Sequence, residues 1–178
     1  RYYQISDQIE VRAHRVRVEE QDYPLTEESD ITGGYLLEAD GFHDFTTGVT
    51  GFYTPYKNVP IRIHYPEEDE IDYSQYQYIR DHVCELEERL YNDNIFQDST
   101  RGYRALMDST SLANWYVATE VSGNPDGFYS TYFYKKQDDD HIYWGPLWDY
   151  DIAYGNDNRI GDTSRKLMKD AGFGSSYL

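Results

Sequence analysis

A single cysteine, Cys84, stands in 178 residues, so no intrachain disulfide can staple this chain. Positive charge is scarce: 16 Lys plus Arg against 33 Asp plus Glu leave a formal charge of −17. A chain with that balance repels polyanions, which argues against nucleic acid as a partner. Long apolar runs are missing too. Hydrophobic residues make up 39% of the chain, and none of their runs nears the roughly 20 residues of a membrane span. The five histidines form no HxH or HxxxH pair, which speaks against a zinc site. No GxSxG, CxxC or Ser-His-Asp arrangement is present. No internal repeat or low-complexity linker divides the chain, so 1–178 is read as one domain. It opens on Arg1 without a signal-like start and is read as a processed or trimmed piece.

What the chain has in quantity is tyrosine, 20 residues, and carboxylate. Its elements follow from periodicity. Residues 8–20 alternate at Ile9, Val11, Ala13, Val16 and Val18, a strand pattern with a slip near His14. Asp30 to Gly34 reads as a turn, 34–40 as a short apolar strand, and 41–51 as a Gly- and Thr-rich loop. FYTPY and VPIRIHYP add strand character. The acidic stretch 66–72 signals a helix start. Ile79, Val83, Leu86 and Leu90 then form one face of a helix over about 73–92, with Cys84 as a core filler. A short helix or turn is expected at 101–107. A helix capped by Asp108, Ser109 or Thr110 buries Leu112, Trp115, Tyr116 and Thr119 and ends at Gly123. STYFYKK (130–136), a polar connection QDDDH and IYWGPLW (142–148) form a hairpin, and a short helix is expected within RKLMKDAGF. Strands first, helices next and a hairpin last argue for α+β.

The chemistry concentrates at two places. NPDG puts Asp126 in the loop after the second long helix, and GPLWDYDIAYGN puts Asp149 and Asp151 after the hairpin. A hairpin returns to the end where it began, so Asp126 and Asp149 are expected to open onto one edge of the sheet. Carboxylates gathered there repel one another, and a hard divalent cation with oxygen ligands relieves the repulsion. In phosphoryl transfer one Asp orients the acceptor hydroxyl and another holds metal on the phosphates. NPDG is also an ordinary turn, and on spacing alone a metal site and a strand end that happens to carry two acids stay level. The run Asp138, Asp139 and Asp140 lacks calcium-loop spacing and reads as a solvated turn with His141 exposed.

EVSGNPDGFYSTYFYKK followed by YWGPLWDYDIAYGN resembles the CotH kinase family, the spore-coat protein H-like atypical protein kinases. GGYLLEAD, VPIRIHYP and ANWYVATE resemble segments of the same family, and the likeness covers roughly 30–160. It implies an atypical protein-kinase-like fold, here a partial domain truncated at both ends. It also implies ATP, Mg²⁺ or Mn²⁺, and transfer of phosphate to Ser or Thr of a protein substrate. By this resemblance Asp126 matches the catalytic-loop Asp and Asp149 the metal-binding Asp. Asp151 is the second acid of the WDxD pattern, and Glu120 and Asn124 are motif residues before the catalytic Asp. The chain departs from kinases at Thr131, where an Asn would hold a second metal, with Ser130 beside it. It has no Gly-rich phosphate loop and no clear ATP-pairing Lys, Arg62 and Lys57 being the nearest. Related bacterial chains are often exported lipoproteins, which matches an extracytoplasmic or cell-surface expectation. A non-catalytic surface binding or adhesion module on the same fold is the competing reading. A DxD glycosyltransferase, with Trp148 and Tyr150 stacking a sugar, is a third, opposed by the absence of a βαβ order.

Overall fold

Tyr35–Asp40, here β1, is the middle of a five-stranded sheet and is buried on both faces. The computed structural model describes residues 8–21, 23–25, 31–41, 50–162, 164 and 166–173. The other strands are β2 (Gly51–Tyr53), β3 (Pro60–Tyr65), β4 (Ser130–Lys135) and β5 (Ile142–Trp144). The order is β2-β3-β1-β4-β5, with every pairing antiparallel. Alternation along β1 sorts its side chains: Tyr35 and Leu37 join one core, Leu36 the other. Together with its helices this sheet makes the α+β fold expected from element order.

The larger core lies between one sheet face and the helix α1 (Tyr73–Tyr91), whose Ile79, Val83 and Leu86 meet Leu37, Ile61, Ile63 and Phe133. α1 starts where expected because Asp72 accepts from Ser74 N and Gln75 N while the Gln75 side chain returns to Asp72 N. Cys84 packs at the edge of this core, and partial burial pushes its thiol up. The stretch 101–107 contains only a single 3-10 turn, Tyr103–Ala105. Leu106 O and Asp108 N then bond Ile142 across the outer edge of β5.

α2 (Ser109–Ser122) starts with the Asp108 carboxylate accepting from Ser111 N. It ends at Gly123, whose left-handed φ of 60° lets its N–H reach Glu120 O and Thr119 O. Trp115 of α2, Phe128 and Met168 of the short helix α3 (Met168–Ala171) form a third apolar cluster.

Two expectations are corrected. Residues 8–20 form no strand. Val11 and Val16 make one isolated bridge around a tight turn, with Arg12 N donating to Val16 O at 3.0 Å. Val16 and Val18 are buried because they lie across the outer sheet face against Leu36 and Tyr132. Their alternation records one-sided burial, not a ladder. A Cβ on Gly34 would meet the Val18 Cβ at 2.5 Å, so this crossing needs glycine. The return strand also stops at Trp144 instead of reaching 148. Gly145 N closes a last bond to Tyr132 O, and then Gly145 at φ 128° and Pro146, without an N–H, leave the ladder. Of the turn expected from Asp30 to Gly34 only Asp30 lies outside the described residues, as does most of the loop at 41–51.

Candidate functional site

The early exit of the chain at Gly145 decides where the acids go. Trp148 turns back onto the sheet and meets the Tyr132 ring edge-on at 5.9 Å. The next residues run along the C-terminal end of α2: Tyr150 and Thr119 share a hydroxyl–hydroxyl bond of 3.2 Å, and Tyr154 N donates to Ser122 O. Asp149 itself takes a left-handed φ of 52°, a conformation Asp adopts more readily than most side chains.

Asp126 arrives from the other side. The turn after Gly123 carries it over α2 so tightly that a Cβ on Gly127 would meet Thr119 Cγ2 at 2.4 Å. Fully buried Asn124 joins the two loops. Its Oδ1 accepts from Asp126 N at 3.2 Å and its Nδ2 donates to Asp149 O at 3.4 Å. Asp126 and Asp149, from separate loops, therefore open onto one edge, as the hairpin argument requires.

The electrostatics reflect this crowding. Burial pushes the Asp126 carboxyl up, and the charges of Asp149, Asp151 and Asp157 push it further, while Arg159 pulls it down. Its Oδ1 is buried without a hydrogen-bond partner among the described residues. Asp149 is also raised, by partial loss of water and then by the neighbouring Asp151 charge. Its side chain is nonetheless largely exposed. An orphaned carboxylate oxygen beside repelling acids is a donor set that suits a hard divalent cation. Among the described residues no group of three or more His, Cys, Asp or Glu closes a metal site unaided.

The remaining sequence candidates have structural partners. The Glu120 carboxylate accepts from Met168 N and Lys169 N, capping α3 against α2. Thr131 is buried, and its hydroxyl donates to Gly127 O at 2.7 Å, bracing the Asp126 turn. Arg62 lies 4.0 Å from Asp40. Lys57 sits 5.8 Å over the Tyr91 ring, on the wall of an apolar cavity of about 440 Å³. That cavity, between the sheet, α1 and α2, shares only the neighbours Phe128 and Thr131 with the acid loops. Asp139 accepts from His141 N, His141 Nδ1 and Tyr143 Oη. Although burial pushes its carboxyl up, these bonds hold it down at about 2. His141 is only half exposed.

Sequence reasoning passed over a second acid centre. Glu38, an acid amid the apolar residues of β1, is buried and accepts from His64 Nε2 at 2.6 Å and Ser130 Oγ at 2.5 Å. Burial alone pushes its carboxyl up, but the bonds from His64, Ser130 and Tyr132 override this and leave it below its ordinary value. An acid inside YLLEAD was the available signal. Arg159, also unforeseen, reaches the Asp126 edge from beyond Asn156.

No helix among the described residues is long and apolar enough to cross a membrane. Neither the curated proteins nor the solved structures contain a match to this chain. A family model described as CotH kinase protein matches residues 2–177, nearly the whole chain and well beyond the segment that carries the motifs. On that match the chain belongs to the CotH kinase protein family.

Proposed function

We propose that this chain is an atypical protein-kinase-like domain that transfers the γ-phosphoryl group of ATP to a Ser or Thr hydroxyl of a protein. The observation that carries this reading is the Asn124 amide. It ties the Asp126 turn to the Asp149 backbone while Asp126 keeps a buried, unpartnered carboxylate oxygen. Asp126 would accept the hydroxyl proton as the acceptor oxygen bonds to the γ-phosphorus. The bond from that phosphorus to the β–γ bridging oxygen breaks, and ADP leaves with the electron pair. Asp149, supported by Asp151, would hold Mg²⁺ or Mn²⁺. When bound, that ion supplies charge neutralisation at the phosphate oxygens. Asn124 holds the two loops in register, Thr131 braces the Asp126 turn, and Glu120 ties α3 to α2 behind it. The raised Asp126 carboxyl suits a base whose proton affinity is lifted toward its task.

Calorimetry with ATP and Mn²⁺ tests the reading. The expected result is saturable heat with the wild type and none with Asp149→Ala. Equal heats from both proteins, or none from either, would sink it. The surface-module alternative keeps binding of its partner in Asp126→Ala, whereas the kinase reading loses phosphate transfer in that variant.

A further inference from the structure

A nucleotide approaching this site meets a chain of charge −17 and an edge made of carboxylates. A polyanion requires a fixed positive charge there beyond any metal. Neither a Gly-rich loop nor an ATP-pairing lysine in the sequence supplies one. A cation whose charge acts on Asp126 is present, and it is Arg159.

The placement of Arg159 is built. Phe173 N donates to Pro125 O, which ties the Phe173 backbone to the residue preceding Asp126. The Arg159 guanidinium lies on that ring at 4.7 Å. Asp157 accepts its Nε at 2.6 Å and its Nη2 on one oxygen, Oδ2, and takes the Arg159 backbone N–H on the other. Asn156 anchors the same segment by donating to Asp151 O at 2.7 Å. The side chain is 60% exposed. Nε and Nη2 of its planar fork are therefore held, and Nη1 has no protein hydrogen-bond partner among the described residues. Such a pre-aimed guanidinium matches two phosphate oxygens at once, which an ammonium does not.

We infer that Arg159 is the phosphate-receiving residue of this site, engaging non-bridging oxygens of the nucleotide's phosphates opposite the cation assigned to Asp149. This rests on the kinase reading. Under it, the Asp157 pair and the Phe173 platform orient the guanidinium before nucleotide arrives. The competing role is purely internal, in which Arg159 only offsets the repulsion among Asp126, Asp151 and Asp157.

The two roles give opposite signs in one experiment. The whole chain is titrated with Mn²⁺ alone, with ATP in Mn²⁺, and with adenosine in Mn²⁺, as wild type, Arg159→Gln and Arg159→Lys. The expected pattern for Arg159→Gln is about 10- to 100-fold weaker ATP binding, the loss of one or two charge-assisted contacts. Adenosine binding changes less than about two-fold, because no phosphate is involved. Mn²⁺ alone binds more tightly, because a neighbouring positive charge has gone. Arg159→Lys recovers part of the ATP affinity, charge without the fork. Undiminished ATP affinity in Arg159→Gln overturns the inference while leaving the kinase reading in place. So does an equal loss of ATP and adenosine affinity. If the wild type takes up Mn²⁺ but no ATP, both the inference and the kinase reading fall.

Discussion

Two acid centres flank the same strand and behave in opposite ways. Glu38 lies across from Tyr132 of β4, buried among three donors that include the Ser130 hydroxyl, and its carboxyl is pulled below the ordinary value. Asp126 lies four residues before Ser130, half-buried, with an orphaned oxygen and a raised carboxyl. Both have lost water. The difference is that Glu38 has donors and Asp126 has other acids. A satisfied buried acid holds a fold together, whereas an unsatisfied one is maintained against the fold's own interest and reads as functional. The contrast sets Glu38, satisfied by its donors, apart from Asp126, whose surroundings suit the role proposed for it.

The contrast can be broken at either centre. The largest effect is expected from Asp126→Asn on transfer of label from γ-labelled ATP, a loss of about 10²–10⁴-fold, the usual worth of a positioned acid–base group. Next comes Glu38→Ala, which strands the hydrogen-bonding groups of His64, Ser130 and Tyr132. It should destabilise by about 2–3 kcal/mol, seen as a melting temperature lower by about 5–10 °C in a chain of this size. The smallest is the thermal effect of Asp126→Asn at neutral pH, where removing a repelled charge should raise the melting temperature by about 1–3 °C. A single variant that loses activity yet gains stability is the signature of a strained functional acid; a lower melting temperature would return Asp126 to the structural class.

The two centres also differ in the sign of their pH dependence. Asp126 is raised above 3.8, so it favours the fold at low pH and weighs against it as pH climbs through its folded value. The stabilisation in Asp126→Asn should therefore vanish below about pH 3.8 and grow above it. Glu38 is lowered from 4.5, so its contribution is present above that pH and is lost as pH falls through its folded value. Thermal melts of wild type and both variants from pH 3 to 7 separate the two curves; parallel curves would contradict the contrast.

The architecture was legible where burial and pairing coincide. β1, β3, β4, α1 and α2 each carry the period of their own backbone, and Asp72, Asp108 and Gly123 mark helix ends by local chemistry. The misreadings share a cause. Val16 and Val18 alternate because they cross a sheet face, and Trp148 continues the aromatic pattern of β5 although Gly145 has already left the ladder. Hydropathy records which side is dry, not which backbone is paired. At the site, hairpin closure predicted the meeting of Asp126 and Asp149, and family resemblance separated their roles. Asn124's two-way bond, Glu120's cap on α3 and Arg159's seat on Phe173 were not legible. The first depends on two loops 25 residues apart meeting, and the other two on the chain beyond Asn156 folding back toward α2.

The Asn124 clamp has a consequence for how the molecule ages. Asparagine deamidates when the following backbone nitrogen attacks its side-chain carbonyl and closes a ring. That ring needs the next residue's N–H, and here the next residue is Pro125, which has none. Asn124 is moreover sealed from solvent at 0% exposure and held by four bonds, two through its side chain, one from its own N–H to Thr119 O and one accepted by its carbonyl from Gly127 N. The one amide on which the alignment of both acid loops depends is thus shielded from the commonest spontaneous damage to its kind, while exposed Asn156, followed by Asp157, is not.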